Sequence, residues 1–162
     1  MLLLKNESDS ISPEYLMKAK EYDNKHIQAP PGSAQYIIQH IARYNIEIFS
    51  ELLNRNYVDT LEEIDHEKLE DFILRINQYM DENAPNQTDL KEYIRIICTY
   101  LTFIAKKPLH PPGMIVDGNK KIFQKGDNYF CPMKSKYLLE AMSLCKYCVC
   151  KKLIKTDYGV DG

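Results

Sequence analysis

Apolar residues recur at spacings of three and four along most of the chain up to Ala105, a pattern that predicts a row of helices. The strongest stripe is Ile37, Ile41, Tyr44, Ile48 and Leu52, widened by Ile38, Phe49 and Leu53. It marks one long helix that begins after a Ser33 cap and ends near Asn54. Ahead of it, Met1 to Ile11 reads as a frayed lead-in. Ser12-Pro13-Glu14 then opens a helix, with Ser12 as cap, Pro13 in the first turn and Glu14 at the positive end of the dipole. This helix presents Tyr15, Leu16, Ala19 and Tyr22, runs to about Lys25, and is broken by Ala29-Pro30-Pro31-Gly32. After a turn at Asn56 to Asp59, Thr60 with Glu63 fits a capping box, and Asp65 is a competing cap. The third helix runs to about Met80 with Leu69, Phe72, Ile73, Ile76 and Met80 inward. A loop from Asn83 to Thr88 follows, and Thr88 is the expected cap of the fourth helix. From Tyr93 to Ala105 apolar side chains point almost all round, as expected of the central helix of a bundle. Cys98, inside it, reads as a small core residue rather than a ligand.

The pattern changes at Pro108, Pro111 and Pro112. Gly113, Asp117-Gly118-Asn119 and Lys125-Gly126-Asp127-Asn128 are turn clusters, separated by the short runs Met114–Val116, Lys120–Gln124 and Tyr129–Phe130. Such runs between Asp-Gly and Gly-Asp-Asn predict a small hairpin or meander. Lys136 to Cys148 returns to helical character. The expected fold is mainly α: a bundle of about four long helices over residues 1–107, then a Cys/His module over 108–162 with a short hairpin and a C-terminal helix.

Charge sharpens this division. Met1 to Ala105 carries 10 Lys/Arg against 18 Asp/Glu, and the remainder carries 11 against 5, so a net charge of −2 conceals a basic C-terminal part. Such a sign change suits an anionic partner or mutual attraction of the two parts. The chain's 162 residues match one domain, with 44% apolar and 27% charged content typical of a soluble globular protein. The apolar run in MLLLKNESDS is too short for a signal-peptide core, and no run approaches the ~20 residues of a membrane span. The expected location is cytoplasmic, where Cys-x-x-Cys points to a metal or redox pair more than to a structural disulfide.

Four of the five cysteines, Cys131, Cys145, Cys148 and Cys150, fall in one late stretch. A tetrahedral zinc site needs four soft or borderline donors gathered by turns, and Cys145-x-x-Cys148 supplies two. Cys131, before Pro132, is the candidate third ligand. The fourth is His110, held between Leu109 and Pro111, or Cys150; Cys148-x-Cys150 is awkward at one tetrahedral centre, which favours His110. Four protein ligands would close the site and make the metal structural. The alternatives are buried thiols, a redox dithiol at Cys145 and Cys148, or an iron–sulfur cluster on Cys131, Cys145, Cys148 and Cys150.

The order His110-Pro111, then Tyr129-Phe130-Cys131-Pro132-Met133-Lys134, then Leu144-Cys145-Lys146-Tyr147-Cys148 resembles the signature of the archaeal domain of unknown function 2115 family, found mainly in methanogens. The likeness spans His110 to Cys148, with a helical length before it that agrees. It implies an uncharacterised, cytoplasmic archaeal protein and supplies no mechanism. In the family pattern a small residue stands where Cys150 is.

Other constellations point to surfaces rather than reactions. Lys106, Lys107, Lys120, Lys121, Lys125, Lys134, Lys136, Lys146, Lys151 and Lys152 interleave with Phe123, Tyr129, Phe130, Tyr137 and Tyr147. Lysines neutralise phosphates and aromatic faces stack on unpaired bases, so the module has the composition of a contact surface for RNA, or equally for a protein. The competing reading is a soluble surface over a thin core, and the absence of arginine argues against bidentate base readout. His26, His40 and His66 read as surface or core-edge residues, and the carboxylates from Glu62 to Asp71 as a solvated helix face. Glu47 and Glu51 have bundle-metal spacing but lack a Glu-x-x-His partner motif. With no phosphate-binding glycine loop or nucleophile elbow, the expected protein is a non-enzymatic binder or scaffold, with a homodimer compatible with its 12 tyrosines.

Overall fold

The computed structural model describes residues 2–24, 28–56 and 63–154, apart from the side chains of Leu2, Asp23 and Asn24. His26, Thr60 and most of the turn expected at Asn56 to Asp59 lie outside the described residues. Helices dominate the order: α1 (Leu2–Ser8), α2 (Pro13–Asn24), α3 (Ala34–Asn54), α4 (His66–Asn83) and α5 (Thr88–Thr99), which continues as a π-helical stretch over Tyr100–Ala105. Then come β1 (Ile115–Asp117), β2 (Lys120–Lys121), β3 (Phe123–Lys125), β4 (Asn128–Cys131), α6 (Lys134–Tyr137) and β5 (Lys151–Lys152).

Local chemistry sets the helix starts. Ser12 Oγ accepts the Tyr15 N–H at 3.2 Å, Ser33 Oγ that of Tyr36 at 3.2 Å, and Asp65 Oδ1 that of Lys68 at 3.2 Å. Each thereby satisfies a donor that the first helical turn would leave orphaned. Thr88 is not a cap: α5 starts at Thr88 itself, behind Gln87, which contributes no side-chain bond. The lead-in is not frayed. Leu4, Ser8 and Ile11, at spacings of four and three, bury one face of α1 and its exit against the main core, and Glu7 meets Arg95 at 3.1 Å. That stripe is only three positions long, too brief to be conspicuous in a sequence.

The main core joins Tyr44, Ile48, Phe49 and Leu52 of α3 to Tyr93, Ile96, Ile97, Tyr100 and Leu101. Ile38 and Leu53 do not widen the stripe; both stand exposed on the flank of α3. The central helix ends where Lys106 takes a left-handed φ of 53° and Lys107 N–H reaches back to Leu101 O at 3.0 Å. This closure satisfies the late carbonyls before Pro108 forbids further helix.

The meander forms as two antiparallel hairpins, β1–β2 and β3–β4, and β5 adds to β4 in parallel. Met114 and Ile122 are buried beneath it and pack against Tyr36, Ile37 and Ile41 of α3. The C-terminal helix is not there. After the single turn of α6 the chain runs to Cys150 as successive tight turns, through Glu140 N–H to Tyr137 O, Ser143 N–H to Glu140 O and Tyr147 N–H to Leu144 O. The helical character expected of Lys136 to Cys148 misleads because this segment answers to α4 instead, where Arg75 donates to Ser143 O at 3.0 Å and Glu140 O at 3.4 Å.

Candidate functional site: a cysteine-lined cavity

A cavity of about 650 Å³ lies between α3, α4, α5 and the module. His110, Cys131, Cys145 and Cys148 all line it, as do Cys150 and Cys98. Residues far apart in sequence thus meet on one wall, among apolar neighbours such as Ile41, Ile76 and Leu109. Among the described residues, no three His, Cys, Asp or Glu side chains converge closely enough to hold a metal ion. A shared wall is present, and a finished coordination shell is not.

Two turns prepare individual sulfurs. At Cys131, where β4 gives way to Pro132, the backbone N–H groups of Met133 and Lys134 point at the sulfur. Burial pushes this thiol up, and those two donors pull part of the way back. At Cys148 the balance reverses. The thiol of Cys150 donates to Cys148 Sγ, the N–H groups of Leu109 and Cys150 add to it, and Lys134 contributes positive charge. Against the cost of burial, these hold Cys148 below the usual thiol range, while Cys150, the donor, is pushed far up. Lys134 is fixed there by its bond to Cys148 O at 2.7 Å.

The remaining candidates are placed less centrally. Cys145 has its N–H held by Ser143 Oγ at 3.1 Å and is half-buried on the same wall. His110 lines the cavity but is exposed. Cys98 has residual surface opening into the cavity, and burial raises its thiol to about 12. A thiol so resistant to ionisation behaves as core, as its sequence context suggested.

Sequence reasoning missed the residues that hold the wall closed. Asp71 of α4 accepts hydrogen bonds from Tyr147 Oη, Lys146 Nζ at 3.1 Å and Arg75 Nε at 2.9 Å. These partners keep its carboxyl down at about 2. Phe72 meets Tyr147 edge to face at 5.5 Å and Phe103 likewise at 5.2 Å. Lys146 and Tyr147, the two residues between Cys145 and Cys148, are therefore anchors to α4. Nothing local in the sequence distinguishes Asp71 from the other carboxylates of that helix.

These features define a mainly helical protein whose small β module closes a thiol-rich cavity. The family model described as an uncharacterised protein conserved in archaea, DUF2115, matches residues 1–153, and the chain belongs to that family. A UPF0305 protein of Methanocaldococcus jannaschii is 39% identical over 153 residues, covering 93% of this chain and 92% of its own. A UPF0305 protein of Methanococcus maripaludis strain S2 is 33% identical over 155 residues, with 93% of each chain covered. One from Methanothermobacter thermautotrophicus is 26% identical over 156 residues, covering 91% and 90%. No solved structure matches the chain significantly. Among the described residues, no helix is long and apolar enough to cross a membrane.

Proposed function

We propose that this chain is a non-enzymatic, cytoplasmic binding protein whose C-terminal module is braced by a structural zinc ion and presents a basic contact surface. The ligands are Cys131, Cys145 and Cys148, with His110 or Cys150 as the fourth. The observation that carries this reading is that these residues, from separate turns, all line one cavity. Support comes from the N–H groups aimed at Cys131 and Cys148, because such donors favour the thiolate that a metal requires. Metal binding would require these side chains to rearrange around the ion, the thiol protons leaving as it arrives. Cys150 has the better claim to the fourth place, since it packs with Cys131 and Cys148 while His110 is exposed.

Metal analysis of anaerobically purified protein tests this. The expected result is one colourless zinc per chain, lost in Cys145→Ser and Cys131→Ser. Of His110→Ala and Cys150→Ser, the one that lowers the zinc content names the fourth ligand. Absence of stoichiometric metal in the wild type would end the reading. A second reading, an iron–sulfur or redox-dithiol role for Cys145 and Cys148, draws on the thiol contact between Cys148 and Cys150. A brown chromophore containing iron and sulfide would favour it.

A further inference from the structure

The outer face of the small sheet has a composition that selects a chemistry. Alternation along a strand sends Phe123 and Lys125 of β3, and Asn128 and Phe130 of β4, to one side. The register pairs Phe123 with Phe130, and their rings stack with centroids 5.2 Å apart and planes 14° apart. Lys151 of β5 is registered beside Phe130. The other side of β4 carries Tyr129 and Cys131, which pack into the module core with Met114 and Ile122. The phenylalanine pair therefore faces away from that core, half-buried, with Lys125, Asn128 and Lys151 exposed around it. Lys121, two positions before Phe123, is exposed as well, and Ile122 between them is buried. Lys120 is turned to Asp117 at 3.5 Å, but no ion pair engages Lys121, Lys125 or Lys151 among the described residues.

We propose that this face, the Phe123–Phe130 stack flanked by Lys121, Lys125 and Lys151, binds single-stranded nucleic acid. Two stacked rings use one face each, so an unpaired base can extend the stack at either end, and every base has such a face. The three lysines neutralise the phosphates that accompany those bases. An unpaired strand fits better than a duplex, whose bases are already stacked on each other and closed to the rings. A protein partner would have to cover the same rings with apolar side chains and supply acidic groups for all three lysines; a nucleotide chain brings both properties in every unit. This names the partner for the contact surface in the reading above, and it rests on the sheet rather than on the metal.

Fluorescence anisotropy with single-stranded RNA and DNA of about 12 nucleotides, against a duplex of equal length, tests it. The expected result is binding of the single strands, with log affinity falling against log salt at a slope of about −2 for three phosphates. Phe130→Ala and Phe123→Ala should each weaken binding about tenfold. Lys125→Glu and Lys151→Glu should each weaken it and flatten the slope, and Lys20→Glu on α2, a charge-matched control, should do neither. Should a phenylalanine variant fail to fold, judged by its helical circular dichroism, the lysine variants carry the same test. Binding of either backbone supports the proposal, the tighter one naming the natural source. No binding, equal binding of duplex, or variants that bind like the wild type would overturn it. Metal-free protein that binds oligonucleotide sinks the zinc reading alone, and zinc-loaded protein that ignores every oligonucleotide sinks this one alone.

Discussion

Residues 2–105 bury Leu52, Phe72, Ile96, Ile97, Tyr100 and Leu101 to 0% exposure, whereas the core of the module beyond Pro108 is Met114, Ile122, Cys131 and Cys150. Half of that second core is cysteine. The helical body has enough apolar area to order itself by burial, at roughly 25 cal/mol per Å². Two aliphatic side chains cannot order some 45 residues against a backbone entropy of about 1–2 kcal/mol each. The module must borrow cohesion, and its structure shows from where. It leans on Tyr36, Ile37 and Ile41 of α3, it is pinned to Asp71, Phe72 and Arg75 of α4, and it clusters thiols. A small β module can thus be specified by its anchors more than by its own interior.

The sharpest way to break this contrast is to remove the proposed ion. Chelation, or Cys131→Ser, should disorder residues 108–154 while leaving the helical body folded, because structural zinc contributes on the order of 10 kcal/mol to small modules. Hydrogen exchange should show protection lost beyond Pro108 and kept in α3 and α5. Undiminished protection of the module after chelation would mean that packing alone holds it. Next in size is Phe72→Ala. Its ring is fully buried between Phe103 and Tyr147, so truncation should cost about 3–5 kcal/mol and loosen body and module together. Denaturant unfolding monitored by module thiol exposure and by helical signal should shift in step. A shift in the module alone would show that Phe72 serves the wall and not the bundle.

The same contrast explains what could be read in advance. Helices α2 to α5 were legible because caps such as Ser12 and Ser33 and the stripe from Ile37 to Leu52 are local statements that burial then enforced. The two hairpins were legible from Asp117-Gly118 and Gly126-Asp127, where φ of 55° and 59° at the glycines favours a residue without a Cβ. The segment from Leu138 to Cys150 was not, since its conformation depends on Arg75 and Asp71, more than sixty residues upstream. Nor was α1, whose three inward positions gain meaning only once α5 lies beside them. For the cavity wall, cysteine spacing singled out residues that do line it, but spacing could not show that Cys148 would pair with Cys150 or that His110 would be exposed.

A milder test probes the joint between the two regions. Tyr44 Oη donates to Pro108 O at 2.8 Å in a buried setting, tying α3 to the first residue of the module. Tyr44→Phe should leave that carbonyl without its partner and cost about 1–3 kcal/mol. The loss should be accompanied by faster thiol modification of the cavity cysteines, since the Leu109–His110 edge depends on this tie. Unchanged stability would mean that water replaces the hydroxyl at no cost.

The smallest expected effect belongs to Asp71, whose side chain is 39% exposed and therefore screened by solvent. Tyr147, Lys146 and Arg75 hold its carboxyl at about 2, below the roughly 3.9 of an unfolded chain. A group depressed on folding stabilises fully above its unfolded value and loses that contribution as pH falls through its folded value. The melting difference between wild type and Asp71→Asn should therefore be steady above about pH 5, shrink below about 4, and vanish near about 2. In the steady range the variant should also expose Cys145 and Cys148 to modification sooner, because Lys146 and Tyr147 between them have lost their anchor. A difference that stays undiminished at about pH 2 would show that shape, and not the charge of Asp71, fastens the module to α4.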